Sequence, residues 1–130
     1  MTALLLDTHI VLGLIGSGDQ AIPPTIRRVV EAADAGRTVS VASIWEIAIK
    51  HRLGRLRLTT DPGTLPALFV GIGLSLLPID HRHALAAVEP EPATRDPFDR
   101  LLLGQCQVEG MRLVTIDRVL AAHPLAWTSG

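Results

Sequence analysis

The sequence predicts an α/β fold around a parallel sheet. Short, almost wholly apolar runs of Leu, Val and Ile alternate with longer stretches at helical spacing. Strands that are apolar on both faces belong to sheets covered by helices on both sides. Acidic residues close several of these runs, at the strand ends where open α/β sheets place their ligand sites.

The elements follow in order. A strand is expected over residues 3–6, and Asp7 can cap a short helix from Thr8. Pro23-Pro24 opens a helix with Ile26, Val29, Val30 and Ala33 on one face, ending near Gly36. Residues 38–42 read as the second strand. Ser43 is placed to cap a helix over residues 44–53, which Gly54 stops. Another helix is expected over residues 65–72, between Pro62-Gly63 and Gly73, then a strand over residues 74–79. Asp80 caps a short helix through Val88, and residues 89–94 form a Pro-rich loop. Asp96-Pro97 opens a helix to Glu109 that Gly110 ends. Residues 112–116 form a strand and 118–122 a short helix, and residues 124–127 can add an edge strand.

Composition bounds the function. The chain has 130 residues, 48% hydrophobic and 19% charged, which fits one globular domain over residues 1–130 with a sizeable core. Tyr is absent and Phe and Trp occur twice each, so the core is aliphatic. A net charge of −1 does not mark a nucleic-acid binder by itself. One stretch is locally basic: Lys50, His51, Arg52, Arg55 and Arg57, with no acid between Glu46 and Asp61. It fits a phosphate backbone and equally a solvated helix end with cations favoured by the dipole. Cys106 is the single cysteine, so no disulfide forms within the chain. The apolar N-terminal run lacks a basic flank and is broken by Asp7 and His9, unlike a signal peptide. No run reaches the ~18 residues of a membrane span. A cytoplasmic protein is expected.

The carboxylates carry the chemistry. Glu46 stands alone in Ile44-Trp45-Glu46-Ile47-Ala48-Ile49. Two structural roles would explain it: a Ser43-x-x-Glu46 capping box, or an i,i+4 pair with Lys50. Asp7, Asp96 and Asp117 each fit a helix cap, and Asp99 suits the first helical turn. Taken together, Asp7, Glu46, Asp99 and Asp117, with Asp96 beside them, would crowd one sheet edge and repel each other without a counter-ion. Mg²⁺ and Mn²⁺ take such hard oxygen ligands and bind substrate phosphates, which points to phosphoester hydrolysis. Asp80 reads as a cap alone. His81-Arg82-His83 lacks the downstream acid and histidine of a zinc hydrolase and reads as surface histidines. Asp7-Thr8-His9 has no second Asp for aspartyl-phosphatase chemistry. Gly13, Gly16 and Gly18 precede no G-K-[ST] and make no phosphate loop.

The order and spacing of these acids resemble the PIN-domain nucleases, and among them the VapC toxins of toxin–antitoxin pairs. The marks are Leu4-Leu5-Leu6-Asp7-Thr8-His9, Val41-Ala42-Ser43-Ile44-Trp45-Glu46-Ile47, Arg95-Asp96-Pro97-Phe98-Asp99-Arg100-Leu101-Leu102 and Leu113-Val114-Thr115-Ile116-Asp117. The resemblance spans essentially the whole chain, and the Asp-Pro-Phe-Asp-Arg run is its most specific part. It implies a three-layer α/β/α fold with a mostly parallel sheet. It also implies an endoribonuclease whose Mg²⁺ or Mn²⁺ is held by Asp7, Glu46, Asp99 and Asp117, with Thr8, Ser43, Asp96 and Thr115 in support. A VapB-type antitoxin partner and a homodimer come with it. Lys50, Arg52, Arg55 and Arg57 are candidates for guiding RNA on charge alone. A housekeeping RNA-processing nuclease and a non-catalytic scaffold remain the alternatives.

Overall fold

A computed structural model describes residues 3–17, 21–32 and 36–129. Four strands form one sheet: β1 (Leu4–Leu6), β2 (Arg37–Ser40), β3 (Ser75–Leu77) and β4 (Arg112–Val114). Their order is β3-β2-β1-β4 and every pairing is parallel. The expected mostly parallel sheet is thus wholly parallel among the described residues. The chain extends the sheet from β1 through β2 to β3, then returns to the other side of β1 for β4. That reversal puts a topological switch point between β1 and β4, where open α/β sheets form a ligand crevice.

Helices cover both faces. They are α1 (Thr8–Leu14), α2 (Pro24–Glu31), α3 (Val41–Arg52), α4 (Leu65–Gly71), α5 (His81–Leu85), α6 (Pro97–Glu109) and α7 (Arg118–Ala121). The side-chain period of two sorts each strand between two cores. Leu4 and Leu6 of β1 and Val114 of β4 join Ile10, Val11, Val30, Ile47, Leu65 and Phe69 on one face. Leu5 and Leu113 join Leu102, Leu103, Cys106 and Leu120 on the other. This is the three-layer arrangement expected. Burying one such Leu contributes about 1.5–3 kcal/mol, so the aliphatic core alone can hold the layers together.

Local chemistry explains most element ends. Asp96 caps α6, accepting from the Phe98 and Asp99 amides, with Pro97 at the first helical position. Gly110 ends α6 at φ 70°, a left-handed conformation that costs other residues about 1–2 kcal/mol. At Gly104 a Cβ would lie 3.0 Å from the His83 carbonyl oxygen, so the glycine lets α5 sit close on α6.

Several expectations change. Ser40, not Ser43, caps α3, its side chain accepting from the Ala42 amide. The helix therefore starts three residues early and leaves Ser43 buried inside it. The third strand is shorter than residues 74–79, and α5 ends at Leu85, short of Val88. The expected tail strand is a single parallel bridge, Leu113 to Ala126. Ala33, placed on the face of α2, and Gly18 lie outside the described residues.

Candidate active site

The parallel sheet brings the C-terminal ends of β1 and β4 side by side, and the acids follow. Asp7 leaves β1 and caps α1, its Oδ1 accepting from the Ile10 amide at 3.1 Å. Its Oδ2 accepts from Thr115 Oγ1 at 2.5 Å. Asp117 follows β4 and caps α7, and both of its cap bonds fall on Oδ1. Thr115 also accepts from the Asp117 amide at 3.0 Å. Capping and convergence therefore coexist in these residues: the cap that holds each helix also aims its carboxylate.

Glu46 comes from the second turn of α3 and is buried. Thr8 Oγ1 donates to Glu46 Oε1 at 2.7 Å and lies 2.9 Å from Ser43 Oγ. Lys50 Nζ lies 2.5 Å from Glu46 Oε2. Of the two structural roles open to Glu46, the ion pair forms and the capping box does not, because Ser43 is not the cap. Asp99 sits in the first turn of α6 and accepts from Thr94 Oγ1 at 3.4 Å.

All four carboxylates, with Asp96, Thr8, His9, Lys50 and Leu120, line one cavity of about 110 Å³. That is well below the ~300 Å³ of a small-molecule site and suits a cation and the edge of a phosphoryl group. Thr115 and Ser43 support the cavity from behind its wall. Arg52, Arg55 and Arg57 are exposed and stand outside the lining. His9, which sequence reasoning did not single out, faces the cavity and is exposed. Its position two residues after Asp7, one helical step past a strand end, was the available signal.

The electrostatics match the crowding. Burial raises the Asp99 carboxyl to about 6, and the charges of Asp96, Asp7, Glu46 and Asp117 push the same way. Burial also raises Asp7, against the lowering effect of the Thr115 bond and the Ile10 amide. Hard carboxylate oxygens, mutual repulsion and burial together fit a divalent cation.

A second cluster lies elsewhere. Among the described residues, Asp80, His83 and Glu109 have possible ligand atoms within 4.8 Å of one another. His83 is buried, which corrects the expectation of surface histidines at residues 81 and 83; His81 is exposed. The Asp80 amide donates to His83 Nδ1 at 3.0 Å, and His83 Nε2 lies 2.7 Å from Glu109 Oε2. An Nδ1 that accepts leaves the proton on Nε2, so neither nitrogen offers a free lone pair to a metal. Arg82 already supplies the positive charge, at 2.8 Å from Asp80 Oδ2 and 3.0 Å from Glu109 Oε2. Its hydrogen bond holds the Asp80 carboxyl down at about 2. The cluster reads as a latch between α5 and α6, and Asp80 acts as the cap expected of it.

Comparison with known proteins agrees with this architecture. The sequence pattern of the PIN domain matches residues 4–124. A toxin–antitoxin complex from Klebsiella pneumoniae has a similar structure, at 15% identity and a TM-score of 0.63, over 97% of this chain and 97% of that one. DNA-bound VapBC from Salmonella typhimurium is similar at 20% identity and a TM-score of 0.63, over 97% of this chain and 96% of that one. No curated protein matches the sequence. No helix among the described residues is long and apolar enough to cross a membrane.

Proposed function

Because this chain belongs to the PIN domain family, we propose that it is a Mg²⁺- or Mn²⁺-dependent endoribonuclease and the VapC-type toxin of a toxin–antitoxin pair. The observation that carries this reading is the cavity lined by Asp7, Glu46, Asp99 and Asp117 at the switch point of the sheet. Four hard oxygen donors from four separate elements, two of them raised in pKa by burial, are a poor way to stabilise a fold and a good way to hold a divalent cation. The likeness to two toxin–antitoxin complexes supports the toxin role.

In this reading Asp7, Glu46, Asp99 and Asp117 hold the metal. When bound, the cation makes water nucleophilic at neutral pH and stabilises charge on a phosphoryl oxygen. Thr115 and Thr8 fix the Asp7 and Glu46 carboxylates by donating to them. Asp96 holds the first turn of α6, and with it Asp99, against the cavity. Lys50 faces an incoming RNA phosphate from the cavity wall. Arg52, Arg55 and Arg57 extend a basic path away from it.

A VapB-type antitoxin holds the enzyme inactive by covering the cavity. The exposed apolar side chains Trp45, Leu53, Val70, Leu85 and Val119 offer surface for that partner and for a second copy of the chain. The protein works in the cytoplasm, where its RNA substrate is.

The test is cleavage of structured RNAs with Mg²⁺ or Mn²⁺, with and without chelator, beside Asp7→Asn. Metal-dependent cleavage that the variant loses is expected; equal cleavage by the variant would reject the site. Growth arrest on expression, relieved by the product of an adjacent short gene that co-purifies, separates a toxin from a housekeeping nuclease. Absence of both cleavage and arrest would favour a scaffold.

A further inference from the structure

Among the described residues, Lys50 is the single Lys or Arg lining the cavity, which also holds five carboxylates. It does not sit loosely there. Its Nζ lies 2.5 Å from Glu46 Oε2, while Glu46 Oε1 is taken by Thr8. Both oxygens of the candidate metal ligand therefore have a side-chain partner of this chain's own. The two occupants differ in kind. A hydroxyl donor uses one lone pair and leaves the carboxylate charge available. An ammonium neutralises that charge and competes with any other cation for it.

The pair is also asymmetric in mobility. The Glu46 side chain is 6% exposed and the Lys50 side chain 41%. Glu46 is buried in α3, as are Ser43 and Ile47. Lys50 reaches it from one turn on, with a four-carbon stem that can swing to water. If the two part, the lysine moves and the glutamate stays.

We propose that Lys50 is the resident counter-ion of Glu46, and that a divalent cation binds this cavity only by displacing it. Lys50 is a positioning residue acting through Glu46. It holds the carboxylate in place at the cavity wall before the metal arrives, and it lowers the affinity of the site for that metal. Displacement leaves its charge at the cavity wall, the place from which a phosphate contact would be made. The inference rests on the metal-dependent reading above and adds a property of this chain's own residues to it.

The test is calorimetric titration of the full chain with Mn²⁺ alone, without RNA, at pH 7.5. Lys50→Met, of similar length and helix propensity, should bind Mn²⁺ about three- to fivefold more tightly, the scale of one ion pair. Arg28→Met, the same charge change on the exposed face of α2, should leave the affinity unaltered. In a Glu46→Gln background the Lys50→Met gain should disappear, as it must if Lys50 acts through that carboxylate. Wild-type Mn²⁺ binding with no gain in Lys50→Met overturns this inference alone, and so does an equal gain in Arg28→Met or one that survives Glu46→Gln. Failure of every protein to bind Mn²⁺ overturns the metal reading itself. Circular dichroism of each variant checks that the helices persist.

Discussion

Thr115 Oγ1 donates to Asp7 Oδ2 at 2.5 Å, across 108 residues of sequence. This bond ties the end of β4 to the end of β1 at the switch point of the sheet. It opposes the rise that burial imposes on the Asp7 carboxyl. Thr115→Val keeps the shape and removes the donor. Stability should fall by about 1–3 kcal/mol, read by chemical denaturation, and Mn²⁺ should bind more weakly. An unchanged midpoint would mean the bond does not support the carboxylate.

The raised Asp99 makes metal-free stability depend on pH. Its carboxyl titrates at 3.8 when unperturbed and at about 6 in the fold. Between those values the native state holds more protons than the unfolded one, so stability falls as pH rises through the window. Asp7, also raised, adds to the trend. Asp80, held at about 2, titrates below the window. Thermal melts in chelator from pH 4 to 7.5 should show this slope, and Asp99→Asn should flatten it. Mn²⁺ affinity should weaken below about pH 6 as Asp99 takes up its proton.

Glu46 is the sharpest probe of the chemistry. Glu46→Gln keeps an acceptor for Thr8 and removes the charge. RNA cleavage should drop by at least about 100-fold, the scale of losing one electrostatic contact to a transition state, while far-ultraviolet circular dichroism stays the same. Retained cleavage would put the reaction elsewhere.

The latch between α5 and α6 is structural. His83→Ala opens a cavity and removes the acceptor of the Asp80 amide, which should lower stability by about 2–4 kcal/mol. Specific cleavage activity, measured well below the melting temperature, should be unaffected. Zinc-dependent stabilisation of the wild type that His83→Ala abolishes would make the cluster a metal site after all.

Cys106 is fully buried in α6, and burial pushes its thiol up to about 12. A thiol reagent should label the native protein only on the timescale of unfolding and label it at once in denaturant. Rapid labelling of native protein would show that the core beneath β4 opens.

What the sequence determined by itself is what local chemistry determines. Short runs rich in Leu, Val and Ile marked β1, β3 and β4, a β-branched run from Thr38 marked β2, and Pro97 and Gly110 marked α6, because burial and backbone preference act within a few residues. The acids at strand ends announced their shared edge for the same reason: parallel strands put all their C-terminal ends together. Local reading failed where two local solutions compete. Ser40 and Ser43 are both good caps, and the length of β2 in the sheet chose Ser40, turning Ser43 inward. The tertiary structure alone decided who meets whom. Thr8 reaches Glu46 across 38 residues and Thr115 reaches Asp7 across 108, and His83 turned out to be buried against Glu109. Such contacts depend on sheet order and helix packing, which no short stretch of sequence contains.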